Sequence, residues 1–143
     1  MAIRHRIFFL SALLSVVADQ LSKYLMISVL SGPGSFSVFR YFSLTLVRNT
    51  GICFGMFNNL NIRNFIIVAS IFIAVGIFLF FKEYSEDKHI TAAFGLIEGG
   101  IIGNLIDRIR TGAVIDFINF HIWPVFNLAD TFIVVGVVII LLK

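Results

Sequence analysis

The chain has 143 residues, of which 59% are hydrophobic and 13% are charged, and its net charge is +3. Soluble domains contain about 45–50% apolar and about 25% charged residues, so this composition indicates a membrane protein, and the length allows a single domain over residues 1–143. The basic residues are scattered singly, which argues against a nucleic-acid partner, and a single cysteine, Cys53, excludes an intrachain disulfide framework.

The first apolar stretch, residues 7–30, is long enough to cross a bilayer as a helix, which needs about 20 residues. Asp19 and Lys23 interrupt it, four residues apart with the acid first, which is the favoured order for an ion pair across one helical turn. We interpret them as a structural polar pair. Arg4 and Arg6 precede the stretch and favour a cytoplasmic N-terminus. A cleavable signal peptide is a weaker alternative, because three more spans follow.

The segment from 31 to 64 is predicted to be an outer segment with strand character. Residues 42–47 alternate between apolar and more polar side chains, and this period of two is expected of a half-buried strand. Residues 58–64 are mostly polar and are predicted to be a loop. They lead into the second span, residues 65–81.

The third span, residues 90–106, carries Gly95, Gly99 and Gly103 at intervals of four residues. Glycines at this spacing form a flat ridge on which another helix approaches closely, so we expect helix packing there. Glu98 lies within the ridge and is the least expected acid of the chain. The sequence does not assign it a role.

The second outer segment, residues 107–127, precedes the fourth span, residues 128–142. Residues 114–121 have the character of a strand, and a small sheet resting on the outer leaflet accommodates both strand segments. Four spans put both termini on one side and both outer segments on the other. The predicted fold class is therefore an all-α membrane protein, a four-transmembrane-helix bundle with a small extracytoplasmic β-sheet and loop subdomain.

Two aspartates in apolar surroundings are the candidate catalytic residues. Asp116 has apolar neighbours and no adjacent countercharge, and Asp130 opens the fourth span with Asn127 three residues before it. Two buried carboxylates that lie close together share a proton, so one acts as acid while the other acts as base. The alternative for each is an interfacial polar anchor. Asp107 and Arg108 are interpreted as a positioning pair at the end of the third span.

Other chemistries find little support in the sequence. His5, His89 and His121 lie in separate segments and no HExxH motif occurs, so no metal site is predicted. Cys53 with His121 is a weak candidate for a Cys/His enzyme, because an apolar-flanked cysteine is usually a packing residue. No glycine-rich phosphate loop occurs, and we expect no cofactor.

Five motifs in a fixed order resemble one family, lipoprotein signal peptidase or signal peptidase II. The motifs are Asp19-Gln20-Leu21-Ser22-Lys23, Asn49-Thr50-Gly51, Gly99-Gly100-Ile101-Ile102-Gly103-Asn104-Leu105-Ile106-Asp107-Arg108, Val114-Ile115-Asp116-Phe117 and Phe126-Asn127-Leu128-Ala129-Asp130. The resemblance implies a bacterial inner-membrane aspartyl endopeptidase that removes the signal peptide from prolipoproteins. It would cut before a cysteine that carries diacylglycerol. The implied catalytic dyad is Asp116 and Asp130. The residues implied to contact the substrate or position the dyad are Asn49, Gly51, Asn104, Arg108 and Asn127.

The resemblance also sets expectations for partners and topology. Diacylglyceryl-modified prolipoproteins and membrane lipids are the expected partners, and we expect a monomer with cytoplasmic termini and an active site at the outer face. The chain departs from the family at Ile52-Cys53, where small alanines are usual, and at Glu98, where an apolar residue is usual. The departure at Ile52-Cys53 bears on the shape of the substrate pocket, and neither departure touches the dyad.

A second class of function fits part of the pattern. A small proton-coupled transporter component would use Asp19, Lys23, Glu98 and the two aspartates as a proton relay. Transport sites cluster near the bilayer midplane, whereas Asp116 and Asp130 are predicted at the outer boundary, where a hydrolase finds water. The depth of the site therefore favours the peptidase.

Overall fold

The computed structural model describes residues 2–51, 60–84 and 87–143. Its elements, in chain order, are α1 (Ala2–Leu30), β1 (Ser35–Phe39), β2 (Phe42–Asn49), α2 (Leu60–Tyr84), α3 (Lys88–Thr111), β3 (Val114–Asn119) and α4 (Leu128–Leu141). Three of these helices are long and apolar enough to cross a membrane, and α4 is a shorter apolar helix of 14 residues. The predicted fold class, apolar helices with a small sheet, is confirmed.

Helix α3 is the centre of the bundle and packs against α1, α2 and α4. The glycine ridge of α3 makes the contact with α1 close. A Cβ atom added at Gly99 would lie 2.5 Å from the carbonyl oxygen of Ala12, and one added at Gly103 would lie 2.5 Å from Oδ2 of Asp19. The prediction that this ridge serves helix packing is confirmed, and the ridge brings α3 directly onto the polar pair of α1.

An aromatic cluster joins three helices at the end of the bundle that is remote from the sheet. Phe8 of α1, Phe81 of α2 and Phe94 of α3 are buried together. The rings of Phe8 and Phe81 stack with centroids 4.2 Å apart. In lipid, helices associate through such close van der Waals contacts and not through the exclusion of water. The cluster therefore fixes one end of the bundle, and the opposite end carries the polar residues.

The three strands form an antiparallel sheet in the order β1-β2-β3. Val47 of β2 is opposite Asp116 of β3. The strand predicted to reach His121 ends at Asn119, because His121 adopts a left-handed φ of 64° and donates its backbone N–H to Oδ1 of Asn119 at 2.8 Å. An asparagine that bonds the backbone two residues on forms a turn in place of a strand.

Helix α2 begins at Leu60, so the loop predicted for residues 58–64 is wrong from Leu60 onward. The remaining part of that prediction, and the departure at Ile52-Cys53, lie outside the described residues. The error has a physical cause. A membrane-spanning helix satisfies its backbone groups internally, so it continues through polar residues at its ends that sequence patterns interpret as a loop.

A short connection leads from α3 into β3. Gly112 ends the helix in a left-handed conformation, with φ of 78°, and donates its backbone N–H to the carbonyl oxygen of Arg108. The Asp107 carboxylate then accepts the backbone N–H of Ile115 at 3.1 Å. These contacts fix the first residues of β3 against the end of α3. As a result, Asp116 lies beside the last turns of that helix.

Candidate active site

Asn127, a fully buried residue at the N-cap of α4, links the two candidate aspartates. Its Oδ1 accepts the backbone N–H of Asp130 at 3.0 Å, which satisfies one of the free donors at the start of the helix. Its Nδ2 donates to Oδ1 of Asp116 at 2.7 Å. One side chain therefore binds a residue of α4 and a residue of β3, and it holds Asp116 and Asp130 in one site.

Every carboxylate oxygen of the two aspartates accepts an N–H donor. Oδ1 of Asp116 accepts a hydrogen bond from Nδ2 of Asn127 at 2.7 Å, and Oδ2 accepts one from Nδ2 of Asn49 at 2.9 Å. Oδ1 of Asp130 accepts a hydrogen bond from Nδ2 of Asn104 at 2.8 Å, and Oδ2 accepts one from the backbone N–H of Asn127 at 3.3 Å. Hydrogen bonds to carboxylates are stronger than those between neutral groups, so both side chains are fixed in orientation.

The environment of Asp116 favours its protonated form. Asp116 is 2% exposed. Burial raises the pKa of Asp116 to about 6, the hydrogen bond from Asn49 opposes this rise, and the negative charge of Asp130 adds to it. A carboxyl group that titrates this close to neutrality beside a second carboxylate is suited to exchange a proton during a reaction.

Arg108, in the last turns of α3, supplies a positive charge to the same site. Its guanidinium interacts electrostatically with Asp130, Asp116 and Asp107. Within the described residues its Nε is buried and has no hydrogen-bond partner. A buried donor without a partner is costly, so this atom is available to an acceptor group of a ligand.

The end of β2 is shaped to present Asn49 to Asp116. Gly51 has a φ of 80°, and its backbone N–H donates to Oδ1 of Asn49 at 2.8 Å. This contact fixes the carbonyl side of the Asn49 amide, so the NH2 group faces Asp116. The Asn-x-Gly motif therefore acts as a unit. Glycine is the residue that adopts this left-handed conformation at least cost.

The predicted ion pair of α1 is present and extends further than the sequence indicated. Nζ of Lys23 lies 2.7 Å from Oδ2 of Asp19 and 2.8 Å from Oδ2 of Asp107. The sequence predicts a pair between Asp107 and its neighbour Arg108, and it does not indicate the contact of Asp107 with Lys23. The glycine ridge was the available signal, since Gly103 lies one helical turn before Asp107 and marks a close approach of α1 to α3.

An apolar groove of about 470 Å³ opens beside Asp130. It lies between α4 and the connection that precedes it, and its lining residues are Phe120, Ile122, Trp123, Phe126, Asp130, Thr131, Val134 and Val135. Ile122 and Trp123 are 90% and 70% exposed. Neither residue is indicated by the sequence, because an isolated apolar pair in a loop carries no periodic signal. The groove joins the polar site to an apolar surface.

Apolar helices around a pair of aspartates, of which Asp116 is buried, define an integral membrane protein with a site suited to acid/base chemistry. A family model described as Signal peptidase (SPase) II matches residues 11–143, so the chain belongs to this family of peptidases. The chain is therefore a bacterial integral membrane protein of the signal peptidase II family, and the resemblance stated from the five motifs is confirmed.

Individual relatives agree with the family assignment over nearly the whole chain. The lipoprotein signal peptidase of Thermodesulfovibrio yellowstonii is 38% identical over 138 residues, which cover 94% of this chain and 91% of that protein. The lipoprotein signal peptidase of Caldanaerobacter subterraneus is 42% identical over 127 residues, which cover 87% and 86%. A solved structure described as a bacterial membrane enzyme, determined by the in meso method at 1.9 Å resolution, matches with a TM-score of 0.85 at 30% identity and covers 94% and 90% of the two chains.

Proposed function

We propose that this protein is a membrane aspartyl endopeptidase that removes the signal peptide from prolipoproteins by cutting before the diacylglyceryl-modified cysteine. The observation that carries the proposal is the pair Asp116 and Asp130, held together by Asn127, in a chain of the signal peptidase II family. Membership of a peptidase family favours hydrolysis over the proton-coupled transporter alternative.

The two aspartates share one proton when the substrate binds. The ionised carboxylate takes a proton from a water molecule, and the water oxygen forms a bond to the carbonyl carbon of the scissile peptide. The protonated carboxyl group donates its proton to the carbonyl oxygen, which gives a neutral gem-diol. The C–N bond then breaks as the aspartate that took a proton from water donates it to the amine nitrogen. The other aspartate takes a proton back from a hydroxyl group of the gem-diol, which becomes the product carboxylic acid. The dyad returns to its initial state.

The neighbouring polar residues hold the dyad and the substrate. Asn49, Asn104 and Asn127 each donate to one of the two aspartates, so they fix the carboxylate oxygens relative to the scissile bond. Arg108 has a buried Nε that is free within the described residues, and this donor suits a backbone carbonyl of the substrate. Such donors replace the water that the peptide loses on binding.

The groove beside Asp130 is suited to the acyl chains of the substrate. Its lining is apolar apart from Asp130 and Thr131, and it begins at the catalytic carboxylate. Each CH2 group that moves from water into such a groove contributes about 0.8 kcal/mol. Trp123 is exposed at its rim, and tryptophan prefers the boundary between membrane and water. The scissile bond, next to the lipidated cysteine, is thereby presented at the membrane surface.

The proposal includes a membrane topology. The protein lies in the bacterial inner membrane as a monomer, with both termini cytoplasmic and the site at the outer face. Arg4 and Arg6 before α1 support this orientation. Reporter fusions at the C-terminus and in the connection between β3 and α4 test it. A C-terminal reporter that is active only outside the cytoplasm would contradict the assignment.

The deciding experiment is cleavage by the purified protein in detergent. A diacylglyceryl-modified lipobox peptide should be cut before its cysteine, and the same peptide without the lipid should be cut far less efficiently. Asp116→Asn and Asp130→Asn should each abolish turnover, and chelators should have no effect. Asp87→Asn is the matched control, since Asp87 is an acid at the opposite end of α3.

Three results would contradict the proposal. Turnover by either dyad variant would refute the aspartyl mechanism. Loss of activity with a chelator and its recovery with zinc would indicate a metalloenzyme. Equal kcat/KM for the lipidated and unlipidated peptides would refute lipid recognition by the groove and leave the dyad assignment standing.

A further inference from the structure

A chain of hydrogen bonds runs from the buried polar pair of α1 to Asp130 of α4. Nζ of Lys23 lies 2.7 Å from Asp19, 2.8 Å from Asp107 and 3.1 Å from Oδ1 of Asn104. The contacts with Asp19 and Asn104 are hydrogen bonds, and the contact with Asp107 is an ion pair. Lys23 is buried, and an ion pair with Asp19 alone would not require the contact with Asn104.

This contact, together with one from Asn127, decides how the amide of Asn104 is oriented. Its Oδ1 accepts from Nζ of Lys23 and from Nδ2 of Asn127, both at 3.1 Å. A carbonyl oxygen has two lone pairs, and both are occupied. If the amide rotated by half a turn, its NH2 group would face the ammonium group and a second NH2 group. The present orientation is therefore enforced, and it directs Nδ2 to Oδ1 of Asp130 at 2.8 Å.

We propose that Lys23 is a positioning residue for the peptidase reaction, because its ammonium group fixes the amide of Asn104 and thereby keeps a hydrogen-bond donor on Asp130. This inference rests on the proposed function of the dyad. The positive charge also polarises the amide, which strengthens the bond that Asn104 donates. Lys23 thus acts on catalysis from a different helix and through another side chain, without contact with the reacting atoms.

A double-mutant cycle with the lipidated peptide tests this coupling. Lys23→Met should lower kcat by about 10-fold to 100-fold and change KM by less than about two-fold, since Lys23 lies behind Asn104. Asn104→Ala should lower kcat by a similar factor. The double variant should be no slower than Asn104→Ala, because Lys23 then has no amide to orient. Factors that multiply in the double variant would overturn the inference.

Two further variants separate positioning from a structural role. Asp19→Asn weakens the same ion pair but leaves Lys23 on Asp107 and Asn104, so it should lower thermal stability while kcat per folded molecule changes less than about three-fold. If Lys23→Met does not fold, Lys23→Met with Asp107→Asn removes one charge of each sign from the buried site. The kcat of this double variant should be lower than that of Asp107→Asn alone by the factor predicted for Lys23→Met. An unchanged kcat in that folded variant would refute the role of Lys23.

A spectroscopic measurement gives a result even if the peptide is not a substrate. In protein labelled with 15N-asparagine, the side-chain NH2 resonances of Asn104 are assigned by their loss in Asn104→Ala. They should shift in Lys23→Met, or in its charge-balanced form, and stay within the linewidth in Asp19→Asn. An unchanged resonance in the Lys23 variants would overturn the inference. A wild-type protein that cleaves neither peptide would refute the proposed function separately.

Discussion

Asp116→Asn should inactivate the enzyme and at the same time make its fold more stable at neutral pH. The carboxyl group of Asp116 has an ordinary pKa of 3.8, and burial raises it to about 6. The native state therefore binds this proton more tightly than the unfolded state. Stability from this group is fully present below pH 4 and is lost as the pH rises through 6. Asparagine does not titrate, so the variant lacks this loss.

The magnitude follows from the shift. Each pKa unit corresponds to 1.36 kcal/mol, so the wild type loses about 3 kcal/mol of unfolding free energy as the pH rises from well below 4 to 7, and most of this loss occurs between pH 4 and 7. The two carboxylate oxygens of Asp116 accept hydrogen bonds from Asn49 and Asn127, and an asparagine at this position has only one oxygen to accept them. The lost hydrogen bond costs about 1 kcal/mol at every pH. The variant should therefore be slightly less stable than the wild type at pH 4. At pH 7 it should be more stable by about 2 kcal/mol.

Thermal unfolding of both proteins in the same detergent, from pH 4 to 7.5, measures the effect. A change of 1 kcal/mol in unfolding free energy shifts the melting temperature of a chain of this size by about 2–4 °C. The melting temperature of the variant should therefore rise relative to that of the wild type by about 5–10 °C as the pH increases over this range. Comparing two proteins at each pH cancels the titration of other acids. A difference that is constant with pH, or that falls as pH rises, would refute the argument from burial.

Three other predictions follow from single contacts. Gly103→Ala should lower the unfolding free energy by about 1–3 kcal/mol, because the added Cβ would lie 2.5 Å from Oδ2 of Asp19. Gly76→Ala is the control: its added Cβ would meet nothing within 4 Å, so thermal unfolding should show almost no change. Glu98→Met should raise the melting temperature, because Oε2 of Glu98 is buried without a hydrogen-bond partner in the described residues; a lower value would reveal a stabilising role for the acid. Trp123→Ala should raise KM for the lipidated peptide and leave kcat unchanged, and an equal KM would exclude this side chain from lipid binding.

Local sequence patterns predict the positions of the apolar helices, one ion pair, one helix-packing surface and the family of this protein. Hydropathy alone located the membrane helices, because a span needs only a continuous apolar run. The ion pair between Asp19 and Lys23 was predicted because residues four apart meet on any helix, and the glycine ridge of α3 was predicted from its spacing. The five ordered motifs indicated the family.

The tertiary structure decided how these parts meet. No local pattern shows that Lys23 binds Asp107 as well as Asp19, that Asn104 is oriented by a residue 81 positions away, or that Asn127 joins the two aspartates. Each contact links different elements, so its geometry depends on where α1, α3, β3 and α4 pack. The groove at Trp123 arises in the same way. A hydrogen bond is made or lost within a fraction of an ångström, and only the packed bundle fixes positions that closely.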